Sequence, residues 1–227
     1  MFRNAGDIKL KQQLQDKIDT IEANGDNPVA VTFALSGMMQ MLSSSDSHTS
    51  NMTWKLIEAK KLPQSVVRVL RQYKVKEDEE DIVDKDSDED EDEEENNILQ
   101  ILNILDFLLY VAMEGVKVPD RLYNPSELFS LDEEAIAILY QRLDEYIDNI
   151  NIVEKLVDFF SVLLYQETNR ALFLGLGTQF SVFFTVTLTN FLLHIGITEL
   201  LQLTGKMHKS HAILNEKITI ILSSISS

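Results

Sequence analysis

The chain has 227 residues, 44% of them apolar, which is enough to build a hydrophobic core. Its formal charge of −17 is concentrated in residues 77–95, where fifteen acids and one lysine leave only −3 for the remaining sequence. The sequence therefore has no broad excess of Lys and Arg that would favour direct nucleic-acid binding. The lack of cysteine excludes disulfides and thiolate metal sites.

The first elements in the sequence are predicted helices. Apolar residues from Ile8 to Ile21 recur at helical spacing, and Gly25 ends that segment. Asn27 followed by Pro28 is typical of a helix start and predicts a helix to about Leu42. After a polar loop at 43–50, the sequence predicts helices over Asn51–Lys60, from Pro63 to Tyr73 and, past the acidic run, over Ile98–Met113.

The downstream half repeats this order. Short segments begin near 50, 125, 168 and 207, a period of about 40 once roughly twenty acidic residues are treated as an insertion. Three helices in each such unit indicate an α-solenoid. The predicted segments start at Asn124 and then cover Asp132–Ile147, Ile150–Tyr165, Thr168–Leu174, Gln179–Leu188, Asn190–Leu203, Lys209–Glu216 and Lys217–Ile225.

One stretch raises a membrane alternative. Residues 171–198 contain no charged side chain over 28 positions, which is longer than a bilayer requires. Polar residues such as Asn190 and His194 within it, together with Gly175 and Gly177, favour two buried helices instead. A membrane-associated protein that inserts residues 171–198 remains the alternative to a scaffold.

Three motifs resemble the armadillo repeat family. KLIEAKKLPQSVVRVL at 55–70 and NRALFLGLGTQFSVFFTV at 169–186 are similar to the junction between its first and second helices. TFALSGM at 32–38 is similar to its third-helix core. The resemblance implies an all-α, right-handed solenoid of about four partial repeats that forms a single domain over 1–227.

In this register the acidic tract, residues 77–95, interrupts the turn between a second and a third helix. We therefore predict a solvated, disordered loop within one repeat rather than a linker between domains. Its acids, with Asp88, Asp90 and Glu93 as candidate binding residues, would bind a basic partner or fold back onto a basic-peptide groove. An inert solubilising loop is the alternative. Ser87, followed by three acids, is a candidate site for an acidophilic kinase.

Two metal hypotheses are weak. Residues 84–95 have acids at EF-hand positions, but Glu89 stands where the calcium loop needs glycine. His208 and His211 are one turn apart, yet the sequence supplies no third ligand nearby, so surface histidines are the simpler interpretation. We expect neither a metal nor a cofactor.

The resemblance also implies a peptide groove lined by third helices. It places Phe33 and Gly37 at the positions where importin-type grooves carry a Trp and Asn pair, so the backbone-clamping Asn is missing there. In the next repeat Asp106 and Tyr110 occupy the same positions and are candidate groove residues, with the core as the alternative place for Tyr110.

The sequence lacks the GxxxxGK[ST], GxSxG and HExxH motifs and a dinucleotide fingerprint, so we predict a non-catalytic scaffold. Its partners would be proteins, in the cytoplasm or nucleus. Because a solenoid needs a polar cap, an apolar edge near Ile225 predicts dimerisation or docking to another subunit. The predicted core comprises Phe33, Leu35, Leu56, Ile57, Val66, Val69, Leu102, Leu105, Leu108, Ile136, Leu139, Leu156, Phe159, Leu172, Phe173, Val182, Leu192 and Ile195.

Overall fold

The computed structural model describes residues 5–24, 27–73, 87–117, 131–164 and 197–225. The chain divides into two compact units, Met1–Leu128 (unit 1) and Phe129–Ser227 (unit 2). Within the described ranges every regular element is helical and there is no strand. The all-α prediction is therefore confirmed, whereas a single solenoid domain over the whole chain stays a prediction.

The described residues of unit 1 form five α-helices. They are α1 (Ala5–Ala23), α2 (Pro28–Leu42), α3 (Ser47–Ala59), α4 (Leu62–Val69), which continues as a 3₁₀ turn at Leu70–Gln72, and α5 (Ser87–Lys117). α2 packs against α1, α3 and α5, while α4 contacts α1, α3 and α5. Their shared core includes Leu14, Ile18, Val31, Leu35, Met38, Trp54, Ile57, Val66, Leu105, Phe107 and Leu108.

Local sequence determines where these helices begin. The Asn27 side chain accepts a hydrogen bond from the Ala30 N–H at 3.1 Å, and Pro28 occupies the first turn, as predicted. Asp46 accepts from the N–H groups of His48 and Thr49, both at 3.2 Å. Hydrogen bonds from the Thr49 hydroxyl and then from these N–H groups lower the pKa of the Asp46 carboxyl below 3.8.

Unit 2 contains four described helices. They are α6 (Glu133–Glu145), α7 (Ile150–Leu163), α8 (Ile197–Met207) and α9 (Ala212–Ile225). α7 packs against α6 and α9, and α8 packs against α9. Asp132 and Asn149 cap α6 and α7 by accepting from Ala135 N at 2.9 Å and Ile152 N at 3.3 Å. The core of this unit includes Ile136, Leu139, Leu143, Val153, Leu156, Phe159, Phe160, Leu201, Leu214 and Ile218.

Several predicted boundaries were wrong. α3 begins at Ser47 rather than Asn51 because Asp46 provides an N-cap that the polar run concealed. The two short helices predicted on either side of Glu216 form one helix, α9, since no residue between Ala212 and Ile225 interrupts it. Residues 118–130, 165–196 and 226–227 lie outside the described residues, as does most of the 171–198 membrane alternative.

α5 is longer than predicted. It begins at Ser87, so the last nine residues of the acidic tract belong to a helix and not to a loop. Glutamate is a good helix former, acids are favourable in a first turn, and the apolar part of α5 supplies a nucleus from which the helix extends. Residues 77–86 lie outside the described residues, so their predicted disorder stays a prediction.

Most of the predicted core within the described ranges is buried. Phe33 is the clear error, because 76% of its surface is exposed. α2 buries Val31, Ala34, Leu35 and Met38, which lie on the sides that pack against neighbouring helices. Phe33 lies outside that arc. Leu56 and Leu102 are half-buried. Leu172, Phe173, Val182, Leu192 and Ile195 lie outside the described residues.

Candidate partner-docking face

One side of α5 presents a regular stripe of accessible residues. They follow one another at intervals of four and three positions, which places them on one helix face over about 21 Å. Leu99 and Met113 are 54% and 52% exposed, and Asp106 lies between them, also exposed. We call this set the α5 stripe: Leu99, Asn103, Asp106, Tyr110 and Met113.

The neighbouring helix α2 also exposes apolar side chains. Val29 and Phe33 are 71% and 76% exposed and lie four positions apart. Lys17 of α1 reaches over the half-buried Gly37, and its ammonium is 5.6 Å from the centroid of the Phe33 ring. Such a cation–π contact at an exposed site contributes about 0.5–1 kcal/mol. It holds the ring in place without covering it.

A hydrogen bond joins the two helices beside these exposed groups. The Thr32 hydroxyl donates to the side-chain oxygen of Gln100, whose amide donates to Asn96 Oδ1 at 3.2 Å. Gln100 is buried and Thr32 is half-buried, so this contact lies within the packed seam. Phe33 follows Thr32 and Leu99 precedes Gln100 by one residue, so each helix exposes an apolar side chain one position from this hydrogen bond. We call Val29, Phe33, Gly37 and the α5 stripe the α2–α5 face.

The charges on α2 and on α5 as far as Met113 are of one sign. α2 contains no charged residue, and α5 contains neither Lys nor Arg from Ser87 to Met113. The sequence places eight acids at positions 88–95, in the first turns of α5, and Asp106 lies midway along the stripe. The α2–α5 face therefore combines apolar groups with negative charge.

Three predicted site residues belong to this set. Gly37 and Tyr110 are half-buried, and Asp106 is exposed, so each is accessible from solvent. Asp88, Asp90 and Glu93 belong to the first turns of the same helix, but their side chains lie outside the described residues. Ser87 is the first residue of α5, and its phosphorylation stays a prediction.

Sequence reasoning missed Val29, Leu99, Met113 and Lys17. A signal for two of them was available, because Leu99, Asp106 and Met113 recur every seven residues. That signal is weak because α5 is apolar on nearly all sides. Nothing in the sequence indicates that Lys17 of another helix contacts Phe33.

The two histidines of the metal hypothesis make other contacts. His208 Nε2 lies 2.7 Å from the carbonyl oxygen of Ile147, to which it donates. His211 Nδ1 lies 3.4 Å from a carboxylate oxygen of Glu154. Within the described ranges no group of three His, Cys, Asp or Glu is arranged to hold a metal ion. Both histidines thus connect helical segments of unit 2.

Among the described helices, one segment is long and apolar enough to cross a membrane by length and composition alone. It is Glu95–Met113 of α5, whose inner side packs against α2 and α4, and core helices of soluble proteins meet the same criterion. Comparisons with protein-family models, with curated proteins and with solved structures found no match to this chain.

Proposed function

We propose that the protein is a non-catalytic interaction scaffold and that the α2–α5 face of unit 1 docks a protein partner. The observation that carries the proposal is the α5 stripe together with the exposed Phe33 and Val29 of α2, the helix that packs against α5. Exposed apolar groups that occur singly are normal on a protein surface, whereas a contiguous apolar set bordered by polar residues is typical of an interaction site. Such a role fits the cytoplasm or the nucleus.

The helix contacts of unit 1 support an armadillo-like arrangement. α1 packs against α4, and α2 packs against α5. In that arrangement α1 and α4 are successive second helices, and α2 and α5 are successive third helices. The buried residues of α5 extend from Gln100 to Ala112, and Thr32, its contact on α2, lies near the start of that helix. Parallel α2 and α5 would direct Phe33 and the α5 stripe to the same side.

The chemistry of the face indicates the kind of partner. Apolar anchors would cover Phe33, Leu99 and Met113, while Lys or Arg side chains would approach Asp106 and the acids at 88–95. The acidic turns lie directly N-terminal to the apolar stripe on one helix. A suitable partner segment therefore carries a basic cluster on one side of its apolar residues.

The first experiment tests the apolar part of the face. Phe33→Asp and Leu99→Asp are compared with Ile8→Asp, a control of similar exposure (58%) on α1 outside the face. Quantitative mass spectrometry measures the proteins that copurify with each variant. We expect the first two variants to lose the same partner and the control to retain it. Identical copurifying proteins in all three samples would contradict the proposal.

The second experiment tests the acidic turns. Replacing the acids at 88–95 with Asn and Gln removes charge and keeps side-chain shape. Binding of a library of Lys- and Arg-rich peptides with apolar anchors is measured by fluorescence anisotropy at low and high salt. We expect weaker binding and a smaller salt dependence in the variant. If affinity and salt dependence are both unchanged, the acids do not contact the partner.

A further inference from the structure

Unit 2 has a second exposed apolar pair, on α9. Ile213 and Ile220 are 61% and 56% exposed and lie seven residues apart, so they are on the same side of the helix. A different side of α9, rotated by about 120°, buries Leu214, Ile218, Ile221 and Ile225. Neither exposed isoleucine is needed for that packing.

The residues between the two isoleucines complete a symmetrical pattern. Glu216 is exposed, and Lys217 follows it with a one-third exposed side chain (33%). Ile213 and Ile220 lie at equal distances from the midpoint between Glu216 and Lys217. If the sequence is laid against itself in reverse, isoleucine therefore meets isoleucine and the acid meets the base.

We propose that a second copy of this chain packs antiparallel against α9 about a two-fold axis between Glu216 and Lys217. Ile213 then covers the partner's Ile220, and Glu216 faces the partner's Lys217. A two-fold interface uses the same patch on both subunits, so the patch must be complementary to itself. The segment 213–220 meets this requirement in both apolar groups and charge.

One contact within the chain bears on this pairing. Lys217 Nζ lies 2.5 Å from Asp158 Oδ1 of α7. An ammonium has three N–H donors, so Lys217 can keep this contact and approach the partner's Glu216 as well. The Asp158 contact holds the lysine near its helix and lowers the conformational entropy lost on pairing.

The size of the patch predicts a reversible dimer. α9 has 14 residues, about 21 Å of helix, and a single helix pair of this length buries less than the roughly 1,200–2,000 Å² of a standard interface. Association is therefore expected to depend on protein concentration. This inference does not depend on the proposed function, which concerns unit 1.

Cross-linking tests the register. The chain contains no cysteine, so introduced cysteines are the only thiols. We expect a mixture of Ile213→Cys and Ile220→Cys chains to form disulfide-linked dimers under mild oxidation. In each variant alone, the two identical positions would be offset by about 10 Å along the helix, beyond the reach of a disulfide. Cross-linking of single variants as efficient as that of the mixture would overturn the antiparallel register.

Sedimentation equilibrium tests the association itself, with circular dichroism as the check that each variant is folded. Ile213→Asp and Ile220→Asp should each lower the association constant at least tenfold. Leu203→Asp, at an exposed apolar position (39%) on α8, is the matched control and should leave it unchanged. A wild-type chain that stays monomeric at every concentration, or an equal loss in the control, would overturn the proposal.

Discussion

Both units are helical with apolar cores, but among the described residues only unit 2 buries a charged side chain, whereas the His48–Asp7 contact of unit 1 lies at the surface. In unit 1 the central helix α2 has no charged residue and packs against three neighbours. In unit 2, Lys217 of α9 lies 2.5 Å from Asp158 of α7, and His211, directly before α9, lies 3.4 Å from Glu154 of α7. Unit 2 also buries the side chain of Arg142 completely.

The stability of each unit is therefore sensitive to a different kind of substitution. Apolar packing responds to lost volume and depends little on pH, whereas ionic contacts respond to the loss of one partner and to titration. We therefore expect cavity-forming substitutions to affect unit 1 most and charge removal to affect unit 2 most.

The largest effect is expected from Phe107→Ala in α5. Phe107 is fully buried, so its truncation should lower the free energy of unfolding by about 3–5 kcal/mol. Urea denaturation followed by the fluorescence of Trp54 measures this change, because Trp54 is the only tryptophan of the chain, is 1% exposed and lies in unit 1.

Phe33→Ala is the matched control for this prediction. It removes the same side chain from an exposed position and loses only the Lys17 contact, about 0.5–1 kcal/mol. Equal losses for Phe107→Ala and Phe33→Ala would mean that the inner and outer sides of these helices have been assigned incorrectly.

The next effect concerns the buried charge in unit 2. Two guanidinium nitrogens of Arg142 lie 3.0 and 2.9 Å from the two carboxylate oxygens of Glu145. Glu145→Ala leaves this buried cation without its carboxylate and should lower the free energy of unfolding. We expect a loss of about 3 kcal/mol, at the lower end for a broken buried pair, because Glu145 is itself partly exposed. Arg142→Met removes the charge and retains apolar volume, so it should cost less. Urea denaturation, monitored by circular dichroism, measures the free energy of unfolding of both variants. A greater loss of stability for Arg142→Met than for Glu145→Ala would contradict the prediction.

The sequence predicted the helices well where local chemistry determines them. The Asn27–Pro28 start and the helices of α6 and α7 follow from capping residues and apolar periodicity. The start of α5 could not be predicted, because charge repulsion in the tract opposes helix formation while the apolar segment after it favours it. The balance between these two effects determines where α5 begins.

The candidate site was only partly predictable. The family resemblance predicted Asp106 and Tyr110 as groove residues, with the core as the alternative place for Tyr110. Asp106 is exposed and Tyr110 is half-buried, and their role in a groove stays a prediction. Phe33 was assigned to the core because an uncharged helix has no polar face to mark the solvent side. The neighbours of α2 determine which side is exposed, and those neighbours are set by tertiary packing.

A smaller effect is expected from Gly37→Ala. Alanine is favoured over glycine within a helix by about 0.5–1 kcal/mol. A Cβ at this position would lie 2.8 Å from Lys17 Cε, so the flexible lysine must move away from the Phe33 ring and loses a contact of about 0.5–1 kcal/mol. The two contributions nearly cancel, so we expect the free energy of unfolding in urea denaturation to change by less than about 0.5 kcal/mol. A destabilisation of more than about 1 kcal/mol would mean that the Lys17 side chain cannot be displaced.

The smallest predicted effect is the pH dependence that Asp144 gives to unit 2. Burial, and then the charge of Glu145, raise the pKa of the Asp144 carboxyl above 3.8. The folded state therefore binds this proton more readily than the unfolded state, and the penalty for ionised Asp144 increases as pH rises from 3.8 through the raised pKa.

Asp144→Asn should consequently stabilise the protein at neutral pH and have no effect well below pH 3.8, where both states are protonated. Because Asp144 is only partly desolvated and solvent screens its charge, the gain should be only about a few tenths of a kcal/mol. Urea denaturation of both proteins across this pH range measures it. Destabilisation at neutral pH would instead indicate that ionised Asp144 makes a favourable contact, and unit 2 would then depend on its charges even more than Arg142 indicates.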